Sequence, residues 1–295
     1  MRTSLAELLS GDAPIIADGG MGTMLFRAGL ARGSAPELWN VERPEAVREI
    51  HAGYIAAGAQ IILTNSFGGN QFRLGAHGLQ DRVEELNAAA ARLARQEADR
   101  AGHPVLVAGS IGPTGVLLEP LGELTFDDAT GAFEAQARAL MAGGVDALWI
   151  ETMSDLEEVR AAVEGCQRAS AATPIVATMT FDTKGRTMMG VTPEQAVKRL
   201  RALGVAALGA NCGNGPAEIE GVIERMHTSD PSAVLVAKAN AGIPKLVDNE
   251  LFYDATPAIM KDYAHRVRAS GARVIGACCG STPDHIRSVA EAIRE

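Results

Sequence analysis

The chain alternates between short apolar runs and longer segments with helical spacing. Eight runs are rich in β-branched and small apolar residues, and most end in a turn-forming residue such as Gly, Asn or Ser. They are PIIADGG (14–20), QIILTNSFGG (60–69), PVLVAGSIGPTG (104–115), DALWIETMS (146–154), PIVATMTFD (174–182), VAALGANCGNG (205–215), AVLVAKANAG (233–242) and RVIGACCGS (273–281). Most are continuously apolar, which is typical of parallel strands buried on both faces.

The segments between the runs predict helices. PEAVREIHAGYIAAG, VEELNAAAARLARQEADRAG and FEAQARALMAGG have apolar residues at helical spacing and close on Gly, as a helix C-cap would. Eight such units predict a single-domain (β/α)8 TIM barrel over residues 1–295. The alternative is a doubly wound open sheet, which would usually show a phosphate-binding glycine-rich turn. GGMGT, after the first run, has neither the GxGxxG spacing nor a Walker lysine.

Composition limits which binding partners and which cellular compartment we expect for this protein. A formal net charge of -9 argues against nucleic acid or an anionic membrane surface. No apolar run approaches the roughly 18 residues of a membrane span, and the N-terminus, which carries Glu7 and Asp12, has no signal-peptide core. We therefore expect a cytoplasmic protein whose four cysteines are thiols or metal ligands. The oligomeric state stays open, and a homo-oligomer is compatible with the sequence.

Reactive side chains gather at the ends of the predicted strands, where barrel enzymes place their active sites. The strand-end residues are Asp18, Thr64, Asn65, Ser66, Glu151, Asn211, Cys212, Asn240, Cys278 and Cys279. Three of the four cysteines are thus predicted to converge on one face from the sixth and eighth strands. Cys166 lies in a helical segment instead and is predicted to be a packing residue.

Three thiolates without a histidine partner form a soft site that suits Zn²⁺. The alternative is that these cysteines are small buried residues. Gly213 and Gly280 follow the cysteines and allow the backbone to turn, so that Cys278 and Cys279 can both face one ion. Three protein ligands leave one tetrahedral position open, as in catalytic zinc sites. Because three thiolates weaken the Lewis acidity of zinc, the site suits activation of a substrate thiol better than hydrolysis.

Carboxylates and free amides at the same strand ends predict an amino-acid substrate. Asp18 and Glu151 can hold an ammonium group, although Asp18 can equally cap a helix or close a turn. Ser154 and Glu157 predict a capping box for the following helix, which leaves Glu151 free. The backbone amides of residues 19–21 can receive a carboxylate. Homocysteine and cysteine both fit these features.

Seven motifs occur in order along nearly the whole chain: DGGMGTML (18–25), TNSFGGN (64–70), GSIGPTG (109–115), IETMSDLEE (150–158), GANCG (209–213), ANAG (239–242) and GACCGSTPDHI (276–286). Together they resemble the zinc-dependent homocysteine S-methyltransferases, and most of all the homocysteine-binding module of cobalamin-dependent methionine synthase. The resemblance implies a methyltransferase of methionine biosynthesis that methylates the thiol of homocysteine.

The resemblance also implies roles for individual residues. It assigns zinc binding to Cys212, Cys278 and Cys279, the homocysteine amine to Asp18 and Glu151, and the homocysteine carboxylate to the backbone at Gly20 and Met21. Asn65 and Ser66, at the end of the second run, are predicted as further substrate contacts from their position. The side-chain oxygen of Asn240 matches the ligand that fills the fourth zinc position before substrate arrives. The alternative for Asn240 is turn chemistry in Asn-Ala-Gly.

The sequence gives less direct information about the methyl donor than about the methyl acceptor. Betaine requires an aromatic cage, and Phe67-Gly68-Gly69-Asn70 lacks the tyrosine that betaine enzymes of this family carry in that loop. Trp39 is either a cage wall or a packing residue. TNSFGGNQFRL is closer to methionine synthase, so we expect methylcobalamin carried by a separate corrinoid protein to deliver the methyl group. The alternatives are a stand-alone enzyme that uses S-methylmethionine or betaine, a fragment of a longer synthase, a zinc hydrolase and a non-catalytic zinc or thiol sensor.

Overall fold

The computed structural model describes residues 2–243, 245–247 and 250–295. Each of the eight predicted runs contains one strand of a single sheet, and a short antiparallel hairpin lies between the last two of them. The strands are β1 (Ile15–Ile16), β2 (Ile61–Leu63), β3 (Leu106–Ile111), β4 (Ala147–Met153), β5 (Ile175–Met179), β6 (Ala207–Cys212), β7 (Leu235–Ala239), β8 (Lys245–Val247), β9 (Glu250–Phe252) and β10 (Ala272–Ala277). The hairpin consists of β8 and β9.

The eight-stranded sheet closes on itself. Its strand order is β1-β10-β7-β6-β5-β4-β3-β2, with every neighbouring pair parallel. A parallel bridge between Ala17 and Ile61 joins the two outer strands, and the Asp18 N–H donates to the Ile61 carbonyl at 3.0 Å. The predicted (β/α)8 barrel is therefore confirmed, and the doubly wound alternative is wrong.

Helices surround the barrel, one before the first strand at the N-terminal end and the others after the strands. They are α1 (Leu5–Leu9), α2 (Met21–Arg27), α3 (Trp39–Glu42), α4 (Pro44–Ala56), α5 (Gln71–Gly75), α6 (Val83–Arg100), α7 (Phe126–Ala142), α8 (Leu156–Ala169), α9 (Pro193–Ala202), α10 (Pro216–Ser229), α11 (Pro257–Ala269) and α12 (Pro283–Arg294). Among the described residues, no helix combines the length and apolarity that crossing a membrane requires.

One predicted helix start differs from the structure. Asp155, and not Ser154, is the N-cap of α8, and its carboxylate accepts the Glu157 N–H at 2.7 Å. A carboxylate is as good an N-cap as a hydroxyl, so the neighbouring position serves equally well. The predicted Ser154–Glu157 capping box is wrong, but Glu151 is still not needed to cap this helix.

The core has an inner and an outer layer. Inside the barrel, inward-facing residues such as Ile15, Trp149 and Val236 pack together, and Leu5 of α1 covers the N-terminal end with 1% of its surface exposed. Outside, the alternate strand residues pack against the helices. Apolar side chains thus fill the barrel interior towards its N-terminal end, so a site inside the barrel must lie at the carboxyl ends of the strands.

Candidate active site

Towards the carboxyl ends of the strands, the inward-facing side chains change from apolar to polar. The polar residues that face the barrel interior are Ser110 of β3, Glu151 of β4, Thr178 of β5, Asn211 of β6 and Lys238 of β7, and all are buried. A cavity of ≈ 700 Å³ opens above them, and Asp18, Glu151 and Lys238 line it together with the three strand-end cysteines. The cavity lies where a barrel fold places its active site.

The three strand-end cysteines lie together at the cavity. Cys212 is the last residue of β6, and Cys278 and Cys279 follow directly after β10. The three Sγ atoms all lie within 4.8 Å of one another, and those of Cys212 and Cys278 are 2.9 Å apart. Cys166 is fully buried in α8, as the sequence predicts.

The backbone around the cysteines is turned for this convergence. Cys212 has a φ of 60°, which a non-glycine residue adopts only where the surroundings impose it. Gly213 and Gly280 have φ angles of 69° and 82°, as expected from their place after the cysteines. The backbone therefore turns at the ends of β6 and β10 and brings the Sγ atoms of the three cysteines close together.

The chemistry of this cluster fits a soft metal ion. Contacts with Cys278 and Cys279, and then burial, raise the pKa of the Cys212 thiol well above its usual value. Three sulfur atoms this close therefore resist becoming thiolates together unless a cation joins them. The Asn240 Oδ1 is buried without a hydrogen-bond partner among the described residues, while its Nδ2 donates to the Gly213 carbonyl at 2.8 Å. An unpaired oxygen next to the Cys212–Gly213 turn is compatible with a fourth ligand.

Asp18 forms a buried ion pair that the sequence did not predict. Its Oδ1 lies 2.7 Å from the Lys238 Nζ, and its Oδ2 accepts the Leu63 N–H at 2.7 Å. Burial raises the pKa of Asp18, although Lys238 opposes that shift. Burial alone would lower the pKa of Lys238, but Asp18 and Glu151 raise it above its usual value, which favours the ammonium form. The available sequence signal was a single lysine in the apolar run AVLVAKANAG.

Among the described residues, the Glu151 carboxyl group accepts fewer hydrogen bonds than that of Asp18. Its Oε1 accepts a hydrogen bond from the Ser110 hydroxyl at 2.5 Å. Burial raises the pKa of Glu151 to about 7, against the opposing effect of Lys238. A cation that enters the cavity would favour the ionised form. Ser110, which orients this carboxyl group, was not predicted as a site residue.

Gly20 and Met21 both line the cavity at the start of α2. The Gly20 N–H donates to the Ser281 Oγ at 2.9 Å, and its carbonyl accepts from the Tyr54 hydroxyl at 3.1 Å. Met21 is the first residue of the helix, so its N–H has no acceptor within the helix. The Met21 amide is therefore the more available of the two.

Asn65 and Ser66 line the cavity but are engaged with the surrounding loops. The Asn65 Nδ2 donates to the Pro36 carbonyl at 2.8 Å and to the Asn40 Oδ1 at 3.0 Å. The Ser66 Oγ donates to the Ser110 carbonyl at 2.8 Å. These bonds hold the loop after β2 in place, and a direct substrate contact for either residue stays a prediction.

Residues from the segments after β1 and β2, including α5, also line the cavity. They include Glu37, Phe67, Phe72, Arg73 and His77, none of which was predicted as a site residue. Trp39 is buried, the Arg43 guanidinium lies 4.7 Å from its ring centre, and it is not among the residues that line the cavity. Trp39 is therefore a packing residue.

The sequence model of the homocysteine S-methyltransferase family matches residues 15–293. Methionine synthases of Mycobacterium tuberculosis and Mycobacterium leprae are each 34% identical to this chain over 307 residues, which cover 99% of the chain and 25% of the relative. The chain thus spans about a quarter of the length of these relatives.

Solved structures agree with the sequence relatives. The homocysteine methyltransferase MmuM from Escherichia coli, in its metallated form, superposes with a TM-score of 0.80 at 26% identity and covers 97% of this chain and 98% of its own. A methyltransferase from Methanosarcina mazei superposes with a TM-score of 0.62 over 98% of this chain and 96% of its own. At 13% identity, this second likeness shows the fold alone.

Proposed function

Because the chain belongs to the homocysteine S-methyltransferase family and is a methyltransferase of that class, we propose that it forms methionine from homocysteine at a zinc site. One observation carries the zinc assignment: three Sγ atoms within 4.8 Å of one another line a cavity that also holds two carboxyl groups. Cys212, Cys278 and Cys279 would hold the ion. The four-ligand sphere would be completed by the substrate sulfur, and before that by the Asn240 Oδ1.

Bound zinc would lower the pKa of the homocysteine thiol and keep its sulfur nucleophilic at neutral pH. The chain's own residues position the rest of the molecule. Glu151, with one oxygen on the Ser110 hydroxyl, receives the α-ammonium group, and Asp18 adds negative charge nearby. The Met21 N–H and the neighbouring Gly20 backbone face the carboxylate end. Methyl transfer then forms the new S–CH₃ bond as the bond to the donor breaks, and that electron pair leaves with the donor.

For the donor, we propose methylcobalamin carried by a corrinoid protein. The support is the likeness to methionine synthases over 99% of this chain. Large apolar side chains are also exposed on the loops at this end of the barrel, where a partner would approach. They include Leu117 and Leu121 after β3, Met188 after β5 and Phe252 of β9. S-methylmethionine or betaine as donor is the alternative.

The test is a donor comparison. Reduced, zinc-loaded protein is incubated with homocysteine and, separately, with methylcobalamin, S-methylmethionine or betaine, and methionine is measured by mass spectrometry. Methionine from methylcobalamin alone supports the corrinoid proposal. Methionine from a small donor establishes a self-sufficient enzyme and overturns that proposal. If no donor gives methionine, a non-catalytic zinc or thiol sensor becomes the better description.

Cysteine variants test the metal site. Cys212→Ala, Cys278→Ala and Cys279→Ala should each lose bound zinc and methyl transfer together, because each removes one of three protein ligands. Cys166→Ala is the matched control, since Cys166 is buried in α8 away from the cavity and should keep both. Zinc content by elemental analysis, measured beside turnover, separates loss of metal from misfolding. Full turnover in a variant that lacks all three cysteines would refute the zinc mechanism.

A further inference from the structure

Asn211 is a fully buried amide next to the cysteine cluster. It precedes Cys212 at the end of β6 and has none of its surface exposed. Its Oδ1 accepts two hydrogen bonds, one from the Thr152 N–H at 2.8 Å and one from the Thr178 hydroxyl at 2.7 Å. Because a backbone N–H can only donate, the contact with Thr152 fixes which end of the amide is the oxygen. The Nδ2 group must therefore face the other way.

The Asn211 Nδ2 group faces two of the three sulfur atoms in the cluster. It lies 3.6 Å from the Cys212 Sγ and 3.9 Å from the Cys278 Sγ, and it also donates to the Thr152 Oγ1 at 2.7 Å. Since the Thr152 hydroxyl accepts that bond, its own hydrogen is free to donate to the Cys212 Sγ, 3.9 Å away. In the part of the chain that the structure describes, Asn211 makes no such contact with Cys279.

The backbone is turned on both sides of this network. Neighbouring residues of a strand point to opposite faces, so the contact between the Asn211 amide and the Cys212 sulfur depends on the turn at Cys212, whose φ is 60°. Thr152 has a φ of 62°, which is rare for a β-branched residue, and β4 shifts register against β5 between Ile150 and Met153. Strained backbone of this kind persists only where the surroundings impose it, and it clusters at functional sites.

The proposed zinc site requires selectivity among sulfur atoms. Three cysteine sulfurs and the substrate sulfur would share one ion as thiolates, and the thiolate is the nucleophilic form of a thiol. A methyl group transferred to a cysteine would give a stable thioether and remove a metal ligand. A hydrogen bond donated to a thiolate withdraws charge from its sulfur and makes that sulfur a weaker nucleophile. Donors aimed at the cysteines therefore favour reaction at the substrate.

We propose that Asn211, held in place by the Thr152 N–H, protects Cys212 and Cys278 from methylation by donating hydrogen bonds to their sulfur atoms. The Thr152 hydroxyl adds a second donor at Cys212. Asn211 is then a positioning residue that determines which sulfur accepts the methyl group. This inference rests on the proposed function, because it concerns the same cysteines as zinc ligands.

The test measures methylation of each cysteine separately. Zinc-loaded wild-type, Asn211→Leu and Thr152→Val proteins are treated with methyl iodide without homocysteine, and site-resolved rates are measured by peptide mass spectrometry. In each transfer an S–CH₃ bond forms as the carbon–iodine bond breaks, and iodide leaves with the electron pair. Asn211→Leu should raise the rates at Cys212 and Cys278 by about 3- to 10-fold, as expected for one lost hydrogen bond, and leave Cys279 within about twofold of wild type.

Thr152→Val keeps the shape of the side chain and the N–H that holds Asn211, but it loses the hydroxyl. It should raise the rate at Cys212 by about 2- to 5-fold and leave Cys278 within about twofold of wild type. Thr178→Val is the matched control, because its hydroxyl contacts the oxygen end of the Asn211 amide, away from the sulfur atoms. All three site-resolved rates should stay within about twofold of wild type in this control.

Two measurements separate protection from a purely structural role. Cys166 is fully buried in α8, so its methylation reports opening of the fold. Zinc content by elemental analysis reports loss of the metal. Equal increases at Cys212, Cys278 and Cys279 in Asn211→Leu would mean that the amide only supports the fold, and this result would overturn the proposal. Unchanged rates at Cys212 and Cys278 would also overturn it.

The variants keep the proposal decidable if one of them does not fold. Should Asn211→Leu fail to fold, Thr152→Val alone decides, since an unchanged rate at Cys212 contradicts donation to that sulfur. The experiment needs neither a corrinoid protein nor the formation of methionine. Failure of the proposed function therefore shows as missing methionine in the donor comparison, whereas failure of this proposal shows in the pattern of cysteine methylation.

Discussion

At the scale of single residues, the site depends on polar side chains that lie within strands whose other residues are mostly apolar and buried. Glu151 follows the fully buried Ile150 in β4, and Lys238 follows the fully buried Ala237 in β7. Burial of such groups is unfavourable without partners, so each has a specific neighbour: Ser110 for Glu151 and Asp18 for Lys238. These costly placements mark functional positions better than exposed charges do.

The raised pKa of Glu151 predicts a pH dependence of substrate capture. With a pKa of about 7 in the folded protein, Glu151 becomes protonated as the pH falls through about 7, and a neutral carboxyl group binds an ammonium group weakly. The kcat/KM for homocysteine should therefore fall below about pH 7. Glu151→Gln should lower kcat/KM by about 10- to 100-fold and remove this acidic limb. Persistence of the same limb in the variant would show that another group titrates.

The same shift has a consequence for stability. The folded pKa of Glu151 lies above its usual value of 4.5, so the folded protein binds more protons than the unfolded chain between about pH 4.5 and 7. The contribution of Glu151 to the free energy of unfolding is therefore most favourable below this window and is lost as the pH rises through it. Denaturant unfolding of wild-type and Glu151→Gln protein across these pH values should show the difference.

Asn240 predicts a metal contact that depends on substrate. Among the residues that the structure describes, no group hydrogen-bonds to its buried Oδ1, so this oxygen is available for zinc. Asn240→Ala should weaken zinc binding by about 10-fold or more when homocysteine is absent, and much less when homocysteine supplies the fourth ligand. Chelator competition with and without homocysteine measures both values. An equal effect under the two conditions would indicate that Asn240 serves the turn through its bond to Gly213.

At the scale of elements, the sequence could predict the strands because each barrel strand is buried on both faces and therefore reads as a continuous apolar run. The convergence of the cysteines followed from their place at strand ends, since all strands of a parallel barrel end at one face. The Asp18–Lys238 pair could not be predicted in this way. Its partners are 220 residues apart, and only the order and register of β1, β10 and β7 bring them together. The predicted N-cap of α8 was wrong for a local reason, since the adjacent residues Ser154 and Asp155 are both suitable N-caps.

Close packing between β6 and β7 predicts an unequal response to two glycine substitutions. A Cβ added at Gly209 of β6 would collide with the backbone carbonyl of Val236, whereas one added at Gly221 of α10 meets open space. Gly209→Ala should lower the free energy of unfolding by about 1–3 kcal/mol because the two strands must separate. Gly221→Ala should raise it by about 0.5–1 kcal/mol through helix propensity. Urea unfolding midpoints measure both, and equal shifts would contradict this description of the strand contact.

At the scale of the whole molecule, the site gathers residues that are remote along the chain. Asp18 follows β1, Glu151 lies in β4, Cys212 ends β6 and Cys278 follows β10. β7 lies between β6 and β10 in the sheet, and β10 pairs with β1 next to the place where the barrel closes. A metal ion held by the three cysteines would therefore link two strand ends across an intervening strand, so that metal binding and the integrity of the barrel depend on each other.

This link predicts that zinc stabilises the fold. An ion that binds only the folded protein, at a free concentration 1,000 times its Kd, contributes about 4 kcal/mol, which for a domain of this size corresponds to roughly 5–10 °C in Tm. Chelation of zinc from the reduced protein should lower the Tm by this amount, and added zinc should restore it. Cys212→Ala protein should melt at one temperature with or without the chelator, whereas Cys166→Ala should respond as wild type does. A wild-type Tm that ignores the chelator would mean that the cysteine cluster binds zinc too weakly to serve as the proposed catalytic site.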